Sequence, residues 1–233
     1  MPARPVDCRA RVAAVRELTP EILEADLAMA APPALDFAAG QWVSVPFGPK
    51  NVRAYSIAST PRTPERITLC ADVAPGGPGS RWFRSLGAGD EVAFKGPLGG
   101  FVLDRADSRR LLLVAEEIGI VPIRAILADL DEAGDRRPAT LVYWARDARW
   151  LVYDAELRAL SRRHAGFAYH PVAGAEAGAD GPGTPAAVVD RLVTDVTGLV
   201  AYVAGGEATI ARVRERLMAK GLERKAVKWE KLW

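Results

Sequence analysis

The chain has 233 residues, 49% hydrophobic and 26% charged, enough for two compact domains with sizeable cores. Lys and Arg number 31 against 29 Asp and Glu, a net charge of +2 with no basic block, which argues against a nucleic-acid partner. Two distant cysteines, Cys8 and Cys70, and two histidines, His164 and His170, argue against a disulfide scaffold, a zinc site and a multi-histidine metal centre.

Up to about Leu103 the chain reads as short strands cut by Gly and Pro. Val6–Leu18 alternates for part of its length (Val6, Cys8, Val12, Val15), and Ile22–Leu27 follows the turn at Thr19-Pro20. Trp42–Val45, Ala54–Ile57, Ile67–Cys70 and Glu91–Phe94 continue the series, with one short helix near Ser80–Leu86. Six such strands predict an antiparallel β-barrel. The polar stretch Asp104–Arg109 marks a boundary, giving domains of residues 1–104 and 105–233. Beyond it Leu111–Val114 is a continuous apolar run, the pattern of a parallel strand covered on both faces. Ile120–Ala133 has helical spacing. Strand Thr140–Tyr143, helix Tyr153–Arg162 and strand Phe167–His170 come next, then a Gly/Ala/Pro-rich loop, Ala173–Pro185. Helix Ala186–Val193, strand Leu199–Val203, helix Ala208–Lys220 and strand Ala226–Trp229 complete an α/β doubly wound parallel sheet. The chain opens without an apolar signal core and has no run long enough to cross a bilayer, so a cytoplasmic location is expected.

Three stretches carry chemistry. In Arg53-Ala54-Tyr55-Ser56, strand alternation puts a guanidinium and a phenol on one face, suited to a diphosphate and a planar ring; a plain barrel strand with a surface arginine is the other reading. Gly76-Gly77-Pro78-Gly79-Ser80-Arg81-Trp82-Phe83 is a glycine-rich turn running into a helix, where free N–H groups suit phosphate, or where Ser80 serves only as N-cap. Lys95-Gly96-Pro97-Leu98-Gly99-Gly100-Phe101 is a turn-rich strand exit.

In this order, followed by a βαβ domain, the three resemble the ferredoxin–NADP(+) reductase family, over nearly the whole chain from about Cys8 to Trp233. The resemblance implies that Arg53 holds the diphosphate of FAD, with Ala54 beside it on the same strand. Tyr55 packs against the isoalloxazine and Ser56 lies near flavin N5. Cys70 to Val73 touch the cofactor, and Gly79 and Ser80 bind its diphosphate at the helix N-terminus. Trp233 stacks on the ring, which makes Ser56 and Trp233 the candidate catalytic residues. In the second domain Gly119, Pro122, Gly205 and Gly206 keep parts of the family's nucleotide-binding turns, and Arg146 or Arg149 meets the adenosine phosphate side of NAD(P)H. The implied activity passes electrons between NAD(P)H and a small carrier protein, ferredoxin or flavodoxin.

The second domain departs from the pattern. Glu116 and Glu117 stand in the glycine-rich turn, Ile118 replaces a hydroxyl residue, Trp144 takes a usual glycine position, and Ala204-Gly205-Gly206-Glu207 replaces a Cys-Gly-Pro-Pro-like turn. Either the two carboxylates compete with a pyrophosphate for the N-terminus of the following helix, or they cap that helix and point to solvent. NAD(P)H use is therefore in doubt. A flavin electron-transfer subunit or siderophore-reductase-like protein that does not use NAD(P)H, and a non-catalytic flavin-binding sensor, are the alternative readings.

Overall fold

The computed structural model describes residues 4–48, 51–174 and 183–233. Two compact units emerge: one runs to Leu103 and includes Arg124–Ala133, and the other comprises Asp104–Ile123 and Gly134–Trp233.

The first unit is a six-stranded antiparallel sheet built from β1 (Val6–Thr19), β2 (Ile22–Ala31), β3 (Trp42–Pro46), β4 (Val52–Ser56), β5 (Arg66–Asp72) and β6 (Glu91–Leu98), with helix α1 (Pro78–Ser85). Its order is β4-β3-β6-β1-β2-β5. Cys8, Ala10 and Val12 face inward from β1, whereas Val6 is exposed. A register shift between Val12 and Ala14 then changes the phase, which is why the alternation in sequence fades before Val15. The expected barrel is not closed by a full ladder. Past β4 a single bridge, Ile57 to Leu69, joins the two edge strands, with Ala58 N–H donating to Thr68 O at 2.8 Å. The next rung is lost because Thr68 N–H donates to the Ser59 hydroxyl (3.1 Å) and Pro61 has no N–H to give. Inside lies one core that includes Leu27, Val43, Ile67, Leu69, Phe83 and Phe94.

The second unit is a parallel sheet of β7 (Arg110–Glu116), β8 (Ala139–Ala145), β9 (Phe167–Ala173), β10 (Leu199–Gly205) and β11 (Val227–Lys231), in the order β11-β10-β7-β8-β9. Its helices are α2 (Ile120–Glu132), α3 (Asp154–Arg163), α4 (Pro185–Leu192) and α5 (Glu207–Ala219). From Arg124 onward α2 groups with the first unit, where Arg124 Nη1 donates to Ala58 O at 2.8 Å. Residues 175–182 of the expected glycine-rich loop lie outside the described residues. The apolar run Leu111–Val114 is wholly buried. Strand order reverses at β7, whose neighbours are β8 and β10, so the carboxyl ends of β7 and β10 flank the crevice where such sheets take ligands.

Glu230 on β11 keeps Oε2 buried without a hydrogen-bond partner among the described residues, and burial pushes its carboxyl up to about 7. The folded chain thus holds a proton that the unfolded chain has already released. Stability from this group is full below about pH 4.5 and falls as pH rises through about 7. Glu230→Gln should abolish that loss, a gain of roughly 2–3 kcal/mol at pH 8 and little at pH 4, read from denaturant melts at both pH values.

Candidate functional site

In the first unit the site is organised around a missing side chain. A Cβ at Gly79 would lie 3.0 Å from Arg53 Cγ, 3.3 Å from the Tyr55 hydroxyl oxygen and 3.4 Å from Phe47 Cζ. Arg53 and Tyr55 therefore share a face of β4 and converge on the first turn of α1, as strand alternation predicts. The N-cap of α1 is Gly77, which has no side chain to offer, and Pro78 occupies the first helical position. Ser80 is the third helical residue and not the cap, because proline's fixed φ suits the position after the cap. No acid lies in the first turn. The leading N–H groups of Gly79 and Ser80 are thus left for an external acceptor. Arg53 is exposed, donates to Val52 O (2.9 Å), and meets no carboxylate among the described residues. Guanidinium, helix start and Gly79 backbone form a cradle that fits a diphosphate.

Tyr55 is buried among aromatics, its ring centroid 5.4 Å from Phe83 and 5.8 Å from Trp82, and its hydroxyl donates to Gly79 O (3.4 Å). Burial pushes the phenol up to about 12, against the opposing pull of Arg53, so it remains a donor at neutral pH. Trp82 stacks on Phe47, centroids 5.6 Å apart and 14° between planes. This wall was present in the motif around Gly79, yet its sequence carries no sign that Trp82 and Phe47 meet. Ala54 is exposed next to Arg53, and Ser56 is buried at the end of β4 opposite Trp42. Cys70 is buried on β5. Val73 points into the core, its N–H bonded to Glu21 O and its carbonyl to Gly76 N–H.

In the second unit both acidic residues turn inward. Glu116, the last residue of β7, is 8% exposed, and its Oε2 accepts the N–H of Gly206, the N-cap of α5, at 2.7 Å. Glu117 Oε1 accepts the backbone N–H of Arg146 at 2.9 Å. Both side chains are thus turned away from solvent, which corrects the expectation that they point outward from this turn. The reason is geometric. Glu117 has φ 49°, the left-handed region, which swings its side chain across to the end of β8. Gly119 serves packing here, since a Cβ on it would lie 2.2 Å from Ala204 O. Pro122 lies in the buried first turn of α2. The Arg146 guanidinium sits 3.6 Å above the Trp150 ring centroid, and Arg149 pairs with Asp147 at 3.1 Å. Trp150 carries no motif in sequence; only its spacing from Arg146 hints at the stack. At the carboxyl terminus the ladder extends to Leu232, whose N–H donates to Gly205 O, and the half-exposed Trp233 lays its indole nitrogen 2.8 Å from where a Gly206 Cβ would stand.

Fold and cradle together describe a diphosphate-binding antiparallel unit followed by a doubly wound second unit. Residues 9–103 match the family described as the oxidoreductase FAD-binding domain. Ferredoxin–NADP reductase B of Sorangium cellulosum (strain So ce56) is 35% identical over 156 residues, 66% of this chain and 64% of that protein. The reductase component of propane 2-monooxygenase from Mycolicibacterium goodii is 31% identical over 208 residues, 88% of this chain and 58% of that one. The cytochrome P450 reductase GcoB of Amycolatopsis superposes with a TM-score of 0.86 at 25% identity, over 98% of this chain and 70% of that one. The chain belongs to the ferredoxin–NADP(+) reductase-like flavoprotein family, and its cofactor is FAD. It spans 58–64% of the length of those two curated relatives. Among the described residues, no helix is long and apolar enough to cross a membrane.

Gly119→Ala should force the turn off Ala204 O and cost about 3 kcal/mol, the upper end for overpacking a rigid site. A fall in melting temperature with unchanged FAD content is the expected result, because the match to the FAD-binding domain, residues 9–103, lies in the other unit.

Proposed function

We propose that the protein is an FAD-dependent oxidoreductase that moves electrons between NAD(P)H and a one-electron carrier protein of the ferredoxin or flavodoxin kind. The observation that carries this reading is the convergence of Arg53 and Tyr55 on Gly79 at the uncapped start of α1. When bound, flavin accepts electrons in a pair and releases them singly, the chemistry such a relay requires. The chain's own residues bind and orient. Arg53 and the Gly79 and Ser80 N–H groups hold the diphosphate. Tyr55, fixed by its bond to Gly79 O, sets the wall beside the ring together with Trp82. In this reading Ser56 would serve the reacting edge of the flavin, Cys70 to Val73 would border it, and Trp233 would be the aromatic that covers it. The names of the two curated relatives, a ferredoxin–NADP reductase and the reductase component of a monooxygenase, support the relay. A second reading, a flavin electron-transfer subunit reduced by another donor, is favoured by the engagement of Glu116 with Gly206.

The purified protein should hold about one FAD per chain, identified by mass after release. Arg53→Ala should weaken FAD binding by roughly 1.5–3 kcal/mol, the loss of a charge-assisted contact. Equal affinity in the variant would return Arg53 to the surface. Deleting Trp233 should raise flavin fluorescence and tighten NAD(P)H binding. If neither changes, Trp233 only packs against Gly206. Anaerobic mixing with NADH or NADPH should bleach the flavin, and bleaching by a reduced carrier alone would select the second reading.

A further inference from the structure

The bond from Glu116 to Gly206 spans the point where the strand order of the second sheet reverses. Glu116 ends β7, and Gly206 directly follows β10. The backbone N–H groups at the start of α5, and the positive end of its dipole, face this crevice and would attract an anion. They already have one. Glu116 Oε2 sits 2.7 Å from the Gly206 nitrogen and 2.7 Å from where a Gly205 Cβ would be, so the floor of the crevice holds both a charge and its volume. Glu207 adds a second carboxylate in the first turn of α5, bonded to Lys231 Nζ at 2.6 Å. Glu117 is likewise engaged by the Arg146 N–H, with its Oε1 3.9 Å from Arg146 Nε.

We infer that Glu116 is a resident anion, a carboxylate that holds the α5 start against the anionic groups of a dinucleotide, so that NADH and NADPH bind weakly unless it is displaced. This deepens, and rests on, the reading of the chain as an FAD-dependent reductase. The register gives the carboxylate an alternative. Trp144, paired directly with Glu116 on the next strand, is 5% exposed, and its indole N–H has no acceptor among the described residues. A buried donor left without an acceptor is costly, and the neighbouring carboxylate is the group suited to meet it once it leaves Gly206.

The test measures NADH and NADPH dissociation constants by calorimetry on the FAD-loaded protein, for wild type, Glu116→Gln and Glu116→Gly. Glutamine keeps an acceptor for Gly206 N–H while removing the charge; glycine removes charge and volume. The wild type should bind in the millimolar range, and both variants about tenfold or more tighter, glycine the most. FAD content and melting temperature report whether each variant is folded; if Glu116→Gly is not, Glu116→Gln decides. Micromolar binding by the wild type, unimproved in the folded variants, overturns the inference, as does absence of binding in every variant. Variants that bind the nucleotide tightly but leave the flavin oxidised uphold the inference and defeat the reductase reading instead.

Discussion

Every helix start leaves backbone N–H groups that the helix cannot satisfy, and this chain meets that constraint in opposite ways in its two units. At α1 the cap is a glycine, the next residue a proline, and no acid lies in the first turn, so the positive end of the helix is left for a ligand. At α5 the cap is also a glycine, but a carboxylate from the end of another strand has taken its N–H. The proposed flavin cradle and the proposed weak nucleotide crevice both rest on these two local decisions. An uncapped start beside an exposed guanidinium suits a diphosphate, and a start engaged by a buried carboxylate suits it less.

The start of α1 approaches the side chains of β4 closely, and a Cβ at position 79 would press on Arg53 and Tyr55. That approach puts the Tyr55 hydroxyl within reach of Gly79 O and packs the tyrosine ring against Phe83. Because Phe83 belongs to the core cluster of the first unit, the cradle is held by the same packing that holds the sheet. Site and core are thus one structure here, with the aromatic residues of α1 serving both.

The regular parts of the fold were legible because they depend on local patterning. Leu111–Val114 reads as a covered parallel strand since it has no polar face, and the Arg53/Tyr55 pair reads as a shared face since strand geometry requires it. What escaped the sequence depends on distant partners or on small backbone choices. The bulge after Val12 shifts a phase that residue types alone do not show. Ser80 looks like a cap until Pro78 claims the first helical position. The direction of Glu116 was hidden because its partner is 90 residues away, and that of Glu117 because nothing in a glutamate announces a left-handed backbone. The Arg146–Trp150 stack was missed for a simpler reason: either residue alone is ordinary.

The separation of Glu116 from Gly206 also bears on how the second unit assembles. A contact that closes so long a loop carries an entropic cost that local helices and turns do not. The pairing of β7 with β10 is what brings the partners together, since each lies just past the last paired residues, Ala115 and Ala204. The Gly206 amide is therefore a late-ordering group, shielded from solvent only in molecules whose central parallel strands are already joined. Its exchange with deuterium would follow the cooperative opening of the sheet rather than fraying of α5. A single backbone proton thus reports the integrity of the whole second unit.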